Sequence, residues 1–164
     1  MKKSLVTGGA GFIGSNLVDA LVKLNHKVIV IDNLSTGRIL NLNKLKKKIK
    51  FYKIDLYKSK KKIKNIFKKY KLDYVFHLAG LADIVPSIVN PEKYFNSNVN
   101  GTYNLLEVAR GFKLKKFIYA ASASCYGIPK NYPTNENSKI QTEYPYALTK
   151  YLGEKLVLDW AKIY

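Results

Sequence analysis

The sequence predicts an α/β fold: a doubly wound parallel sheet covered by helices on both faces. Three observations predict it. Short apolar runs at 5–6, 28–31, 49–54, 74–78 and 117–121 alternate with segments of helical period. The first run turns into its helix through a glycine-rich stretch, and the second ends on an acid, Asp32. No internal repeat or linker interrupts the alternation, so residues 1–164 read as one domain.

The stretch Thr7-Gly8-Gly9-Ala10-Gly11-Phe12-Ile13-Gly14 follows the first strand directly. Glycine suits such a turn because it accepts unusual φ angles and admits a pyrophosphate close to the backbone. The helix that follows carries Ile13, Leu17, Leu21 and Leu24 at one-face spacing, and its N-terminus offers free N–H groups to phosphates. The second strand then delivers Asp32, whose carboxylate can accept ribose hydroxyls. Strand, glycines, helix, strand and acid in register predict a Rossmann-type dinucleotide site. A carboxylate at Asp32 repels a 2′-phosphate, and Arg38 lies beyond the Asn33-Leu34-Ser35-Thr36-Gly37 turn, so NAD is favoured over NADP.

The third run, 49–54, ends at Asp55-Leu56, and a lysine-rich helix over 60–70 buries Ile63, Ile66 and Phe67. The fourth leaves the sheet at Ala79-Gly80. Asn90-Pro91-Glu92 then reads as a helix start: a cap, a proline at the first position, and an acid facing the dipole. That long helix is expected to bury Phe95, Val99, Leu106 and Ala109. The fifth strand runs into Ser122, and a loop containing Pro129 and Pro133 leads to a helix opening near Pro145-Tyr146. That helix carries Leu152, Leu156, Trp160 and Ile163 and runs to the end, where a further strand is expected; the architecture reads as cut short.

No apolar run approaches the ~18 residues of a membrane span. Met1-Lys2-Lys3-Ser4 leads straight into the first strand, which leaves no room for a signal peptide. A single cysteine, Cys125, fits a reducing cytoplasm. The formal net charge is +18, yet only Arg38 and Arg110 are arginine, and the lysines lack interleaved aromatics. The reading is a lysine coat on solvent faces, with no specific nucleic-acid partner and no membrane, and polyanion binding only at low salt.

Tyr146 and Lys150 are spaced i, i+4 and share a helical face, where an ammonium can stabilise a phenolate used as a base. The spacing recurs at Tyr57/Lys61, Tyr126/Lys130 and Tyr151/Lys155, but only Tyr146/Lys150 opens a helix after a strand that ends in a serine. Ser122 sits at the edge of the sheet where such folds bind ligands, placed to hydrogen-bond a substrate oxygen.

With these motifs in order, the chain resembles the extended short-chain dehydrogenase/reductase family, in particular its nucleotide-sugar epimerases and dehydratases. The matching segments are 7–14, 32–37, Asp55-Leu56, His77-Leu78-Ala79-Gly80, Asn98-Val99-Asn100-Gly101-Thr102, 122–127 and 146–150. The resemblance implies that Gly8, Gly11, Phe12, Ile13 and Gly14 cradle the pyrophosphate of NAD. It implies that Asp32, Asn33, Ser35, Thr36 and Gly37 surround the adenosine ribose, and that Asp55 and Leu56 meet the adenine. Leu78, Ala79 and Gly80 would line the cofactor cleft. Tyr146 would be the acid/base catalyst, Lys150 its electrostatic partner and a ribose ligand, and Ser122 a substrate hydrogen-bonder, with no metal. Asn98 is carried over as a cofactor residue, although it could equally tie its helix to a neighbouring strand. His77 reads as a packed strand-end residue and Cys125 as a small buried one.

Dehydratases and decarboxylases of this family usually place an acid just after the active-site hydroxyl. Here the run is Ser122-Ala123-Ser124, which favours simple epimerisation. The 32–37 turn and Ala79-Gly80-Leu81 look most like UDP-hexose 4-epimerases, including those acting on N-acetylated sugars. The resemblance implies oxidation at C4, a transient 4-keto sugar that turns over, and reduction on its other face. Members of this type are about twice as long, dimerise through two long helices, and carry a C-terminal substrate domain not represented here. The alternatives are a non-catalytic NAD-binding fragment of such an enzyme, or a nucleotide-sugar 4,6-dehydratase or decarboxylase relative.

Overall fold

The computed structural model describes residues 1–129 and 132–164; Lys130, of the Tyr126 pair, lies outside them. Five strands, β1 (Lys3–Thr7), β2 (Lys27–Asp32), β3 (Ile49–Lys53), β4 (Tyr74–His77) and β5 (Lys116–Tyr119), form one sheet in the order β3-β2-β1-β4-β5. Every pairing is parallel. The predicted doubly wound α/β fold is what the chain forms.

Alternation along the strands sorts the core into two layers. Leu5, Ile29, Ile31 and Val75 face one side, against Ile63, Ile66 and Phe67 of α2 (Lys60–Tyr70). Val6, Val28 and Val30 face the other, against Val18 and Leu21 of α1 (Phe12–Lys23) and Leu42 and Leu45 of a 3₁₀ segment, Ile39–Leu45. The chain winds outward from β1 to β3, then returns to β4. The point of reversal therefore lies between β1 and β4, where folds of this kind open a ligand crevice at the carboxyl ends of the strands.

Two expected faces differ in detail. In α1 the buried positions are Gly14, Val18 and Leu21, while Ile13 and Leu24 are 68% and 69% exposed. The helix turns its glycine to the sheet because only that residue fits against the first turn. Between β4 and the long helix the chain also forms α3 (Ile84–Val89), a segment to which the sequence assigns no element. The long helix itself is α4 (Pro91–Phe95), one π turn (Asn96–Asn100) and α5 (Gly101–Ala109). The wider turn shifts the phase, so that Tyr94 and Asn98 are buried and Phe95 is 43% exposed. Asn90 caps α4, accepting the Lys93 N–H at 3.1 Å, and Pro91 occupies the first turn, as the sequence predicts.

In α6 (Pro145–Ile163) the buried residues are Ala147, Thr149, Lys150 and Gly153. Leu152, Leu156 and Trp160 are only half-buried and Ile163 is exposed. None of the described helices is long and apolar enough to cross a membrane.

Candidate active site

The glycine turn is built by close backbone contact. Gly8 has φ +70°, and a Cβ there would sit 2.6 Å from the Ala79 backbone nitrogen. A Cβ on Gly14 would collide with the Gly8 carbonyl oxygen. The turn closes through Gly11 N–H donating to Gly8 O (3.1 Å) and Gly8 N–H donating to Ile31 O (2.8 Å). Strand β1, the start of α1 and the segment after β4 therefore meet without side chains between them.

Asp32 organises the adjoining loops. One carboxylate oxygen accepts the Ala10 N–H at 2.9 Å and the other accepts the Leu34 N–H at 2.8 Å. Each oxygen keeps acceptor capacity for a ribose hydroxyl. Asn33 donates to Asp55 at 3.1 Å, tying the ends of β2 and β3 together.

Between these parts lies a cleft lined by Gly8, Gly11, Asp32, Asn33, Ser35, Thr36, Gly37, Asp55, Leu56, Leu78, Ala79 and Gly80, all predicted from sequence. Ile31, Ile54, Tyr57 and Ser97 also line it and were not foreseen. Arg38 is not among the lining residues. Phe12 and Ile13 are exposed at the start of α1, where their N–H groups have no intrahelical acceptor. Gly14 packs on the turn itself.

The second part of the site lies where β5 leaves the sheet. Ser122 caps a 3₁₀ segment, Ala123–Tyr126, with its Oγ accepting the Ser124 N–H. The same Oγ is 3.2 Å from the Tyr146 hydroxyl and 2.7 Å from Ser124 Oγ. Tyr146 is held from three sides. Its N–H donates to Ser87 Oγ at 3.1 Å, its ring meets Tyr94 edge-on, and Tyr144 stacks beside it. Ser87 is fully buried and donates in turn to Ile84 O. No motif in the sequence marks Ser87, which lies on α3, an element the sequence does not announce.

Lys150 donates from Nζ to Ala120 O at 2.6 Å and lies over the Tyr119 ring, 4.2 Å from its centroid. Burial lowers its pKa to about 8 against an opposing pull from Glu154. Burial also raises the Cys125 thiol, which suits the packed role read from sequence rather than a nucleophile.

A buried hydrogen-bond chain joins the two parts, and its direction can be worked out. Thr102 Oγ1 donates to Asn98 O at 2.6 Å, so it must accept from His77 Nε2 at 2.8 Å. His77 Nδ1 is then the acceptor for Thr7 Oγ1 at 2.6 Å, and Thr7 Oγ1 accepts the Ala79 N–H at 3.3 Å. The Asn98 side chain carries the link onward. It accepts the Leu81 N–H (2.8 Å), donates to Leu81 O (3.0 Å), and donates to Thr149 Oγ1 (3.0 Å) on the helix of Tyr146 and Lys150. Asn98 thus binds the segment after β4 to α6, and all these side-chain contacts are to protein.

Burial, with help from Lys150, lowers the His77 pKa to about 3. An unfolded chain protonates this imidazole near the ordinary 6.5. Between those values the unfolded state binds more protons, so stability is lost as pH falls from 6.5 towards 3. His77→Gln is expected to be less stable than the parent at about pH 7 yet to lose less on acidification to about pH 4.5. Equal losses in thermal midpoint would contradict the neutral assignment.

The profile described as "NAD dependent epimerase/dehydratase family" matches residues 4–164. The chain belongs to this family. Among the family's curated members it is 36% identical to "UDP-glucose 4-epimerase 2" of Arabidopsis thaliana, over 96% of this chain and 47% of that protein. Solved structures are similar as well. The UDP-Glc/GlcNAc 4-epimerase of Campylobacter jejuni has TM-score 0.93 at 32% identity, covering 99% of this chain and 50% of that one. A UDP-glucose 4-epimerase from Brucella ovis in complex with NAD has TM-score 0.92 at 32% identity, covering 100% and 49%. The chain spans about half the length of the relatives it matches.

NAD is the cofactor of the epimerase/dehydratase family, and the cleft fits it. A cradle that any Cβ on Gly8 would fill, a carboxylate at the end of β2 and an arginine-free lining are what a dinucleotide without a 2′-phosphate requires.

Proposed function

We propose that this chain is the NAD-binding half of a nucleotide-sugar 4-epimerase acting on a UDP-hexose or UDP-N-acetylhexosamine. The observation that carries the reading is the Ser122–Tyr146 hydroxyl pair beside the buried Lys150, at the end of the sheet that holds the dinucleotide cleft.

NAD, when bound, supplies reversible hydride acceptance at C4 of the sugar. Tyr146 then removes the 4-hydroxyl proton and returns it, and Ser122 donates to the developing C4 oxyanion. Lys150, four residues after Tyr146 on the same helix, would supply positive charge there and would meet the ribose of NAD. A 4-keto sugar that turns over between proton removal and return exposes its opposite face, which gives the epimer with no net oxidation. Gly8, Gly11, Phe12, Ile13 and Gly14 would hold the pyrophosphate, and Asp32, Asn33, Ser35, Thr36 and Gly37 the ribose. Asp55 and Leu56 would meet the adenine, Leu78, Ala79 and Gly80 would line the nicotinamide side, and Asn98 would act through the segment it clips. Ser124, not a carboxylate, is hydrogen-bonded to Ser122, which favours epimerisation over elimination. Half-exposed Phe95, Tyr103, Leu148 and Leu158 on α4, α5 and α6 support a homodimer through these helices, and the single cysteine supports a cytoplasmic setting.

The half-length match favours a second reading for the 164 residues alone, an NAD-binding fragment without turnover. Both are tested by fusing the chain to the second half of a relative such as the C. jejuni enzyme and assaying UDP-galactose conversion to UDP-glucose. The fusion is expected to turn over and the chain alone is not. An inactive fusion that retains NAD would contradict the epimerase reading. Robust conversion by the chain alone would contradict the fragment reading.

A further inference from the structure

The positive charge is not an even coat. Residues 44–71 hold fourteen lysines and one carboxylate, Asp55, and all fourteen lysines are exposed. Only Lys60 reaches a carboxylate, Glu107 at 3.9 Å, among the described residues. Asp55 spends its oxygens on the Asn33 side chain and the backbone of Tyr57 and Lys58.

The fold gathers these lysines around one feature, the β3 edge of the sheet. Lys44, Lys46, Lys47 and Lys48 lie on or just after the 3₁₀ segment packed on the α1 face; Lys50 and Lys53 are on β3; Lys60, Lys61, Lys62, Lys64, Lys68 and Lys69 are on α2, across the sheet. Between β3 and α2 runs a groove lined by Tyr52, Lys53, Ile54, Lys62, Asn65, Ile66 and Lys69, with no carboxylate. Tyr52 is fixed there by its hydroxyl contact with Tyr70 at 2.7 Å.

We infer that this collar and groove bind a flexible polyphosphate strand, a single-stranded nucleic acid, through its phosphates and without reading its bases. Unpaired lysines this dense repel one another, and a polyanion relieves that repulsion while releasing its own counterions. The charge continues around the sheet edge onto both faces, a path a flexible strand follows and a flat bilayer cannot. Between residues 44 and 71 the one large apolar side chain left exposed is Tyr57, so little is available to insert into lipid. Lysine in place of arginine, and Tyr52 alone along the groove, leave no set of stacking or bidentate contacts to select bases.

The test is fluorescence anisotropy of the chain with a labelled oligothymidylate across a salt series. With about five phosphates neutralised, log K against log[salt] should have a slope of about −3.5, and affinity should fall about 100-fold between about 50 and 200 mM salt. The triple variant Lys53→Glu, Lys62→Glu, Lys69→Glu should lose binding. Lys2→Glu, Lys93→Glu, Lys162→Glu, which changes net charge equally at exposed sites elsewhere, should retain most of it. Circular dichroism checks both folds, and the Lys→Gln set at 53, 62 and 69 replaces the first triple if that one does not fold. Equal losses in the two triples would overturn the site, leaving net charge as the cause. No binding at about 50 mM salt would overturn it as well. Tighter capture by phosphatidylserine vesicles than by the oligonucleotide would overturn the choice of partner.

Discussion

Tyr146→Phe is expected to lower epimerisation by the completed enzyme about 10³-fold while leaving NAD bound. The reason is that the two properties rest on different atoms. The ring is held by Tyr94 and Tyr144 and the backbone by Ser87, and none of these contacts involves the hydroxyl. The hydroxyl's partner is Ser122 Oγ, at the point where β5 leaves the sheet. Removing it deletes the proton acceptor and leaves the packing, so α6 stays in place and Lys150 keeps its bond to Ala120 O. Turnover of UDP-galactose and cofactor content, measured on one preparation, separate the two effects. Turnover within a few-fold of the parent would remove Tyr146 from the chemistry. Loss of NAD together with turnover would point to a structural role instead.

Gly14→Ala is the substitution expected to damage the cofactor site most. Its new methyl group would run into the Gly8 carbonyl oxygen, and that oxygen cannot withdraw because it accepts the Gly11 N–H while Gly8 N–H is bound to Ile31 O. Relief requires moving α1 off the turn, which pulls the first N–H groups of the helix away from any phosphate. Overpacking of this kind costs about 1–3 kcal/mol of stability, and NAD affinity should fall by more than about 100-fold. Gly111→Ala is the matched control: its added carbon meets Val108 O at 3.6 Å, an ordinary contact, so stability should change by less than about 0.5 kcal/mol. Equal behaviour of the two variants in a thermal melt and an NAD titration would contradict the close-packed turn.

Much of the fold and of the cofactor cleft was legible in the sequence because both rest on local rules. Buried parallel strands read as apolar runs, and Gly8 and Asp32 sit at fixed offsets from the strands that carry them. The proposed set of Ser122, Tyr146 and Lys150 stands out in the sequence for the same reason, each lying at the end of a strand or the start of a helix. What escaped depends on tertiary context. The π turn at Asn96–Asn100 adds a residue to one helical turn, and no spacing rule for apolar residues announces it, so Tyr94 faces inward where the spacing predicts Phe95. In α1 and α6 the fold turns small residues, Gly14 and Gly153, inward, which apolar spacing does not mark; a Cβ on Gly153 would strike the Tyr119 hydroxyl. The direction of the Thr7–His77–Thr102–Asn98 chain appears only once residues seventy positions apart are brought together.

The most direct test of the central claim, that these residues form an NAD half-site, is a titration of the 164-residue chain with NAD and, in parallel, with NADP. One NAD per chain is predicted, with NADP at least about 100-fold weaker because its 2′-phosphate must approach the Asp32 carboxylate. No uptake of NAD, or equal affinity for the two dinucleotides, would contradict it.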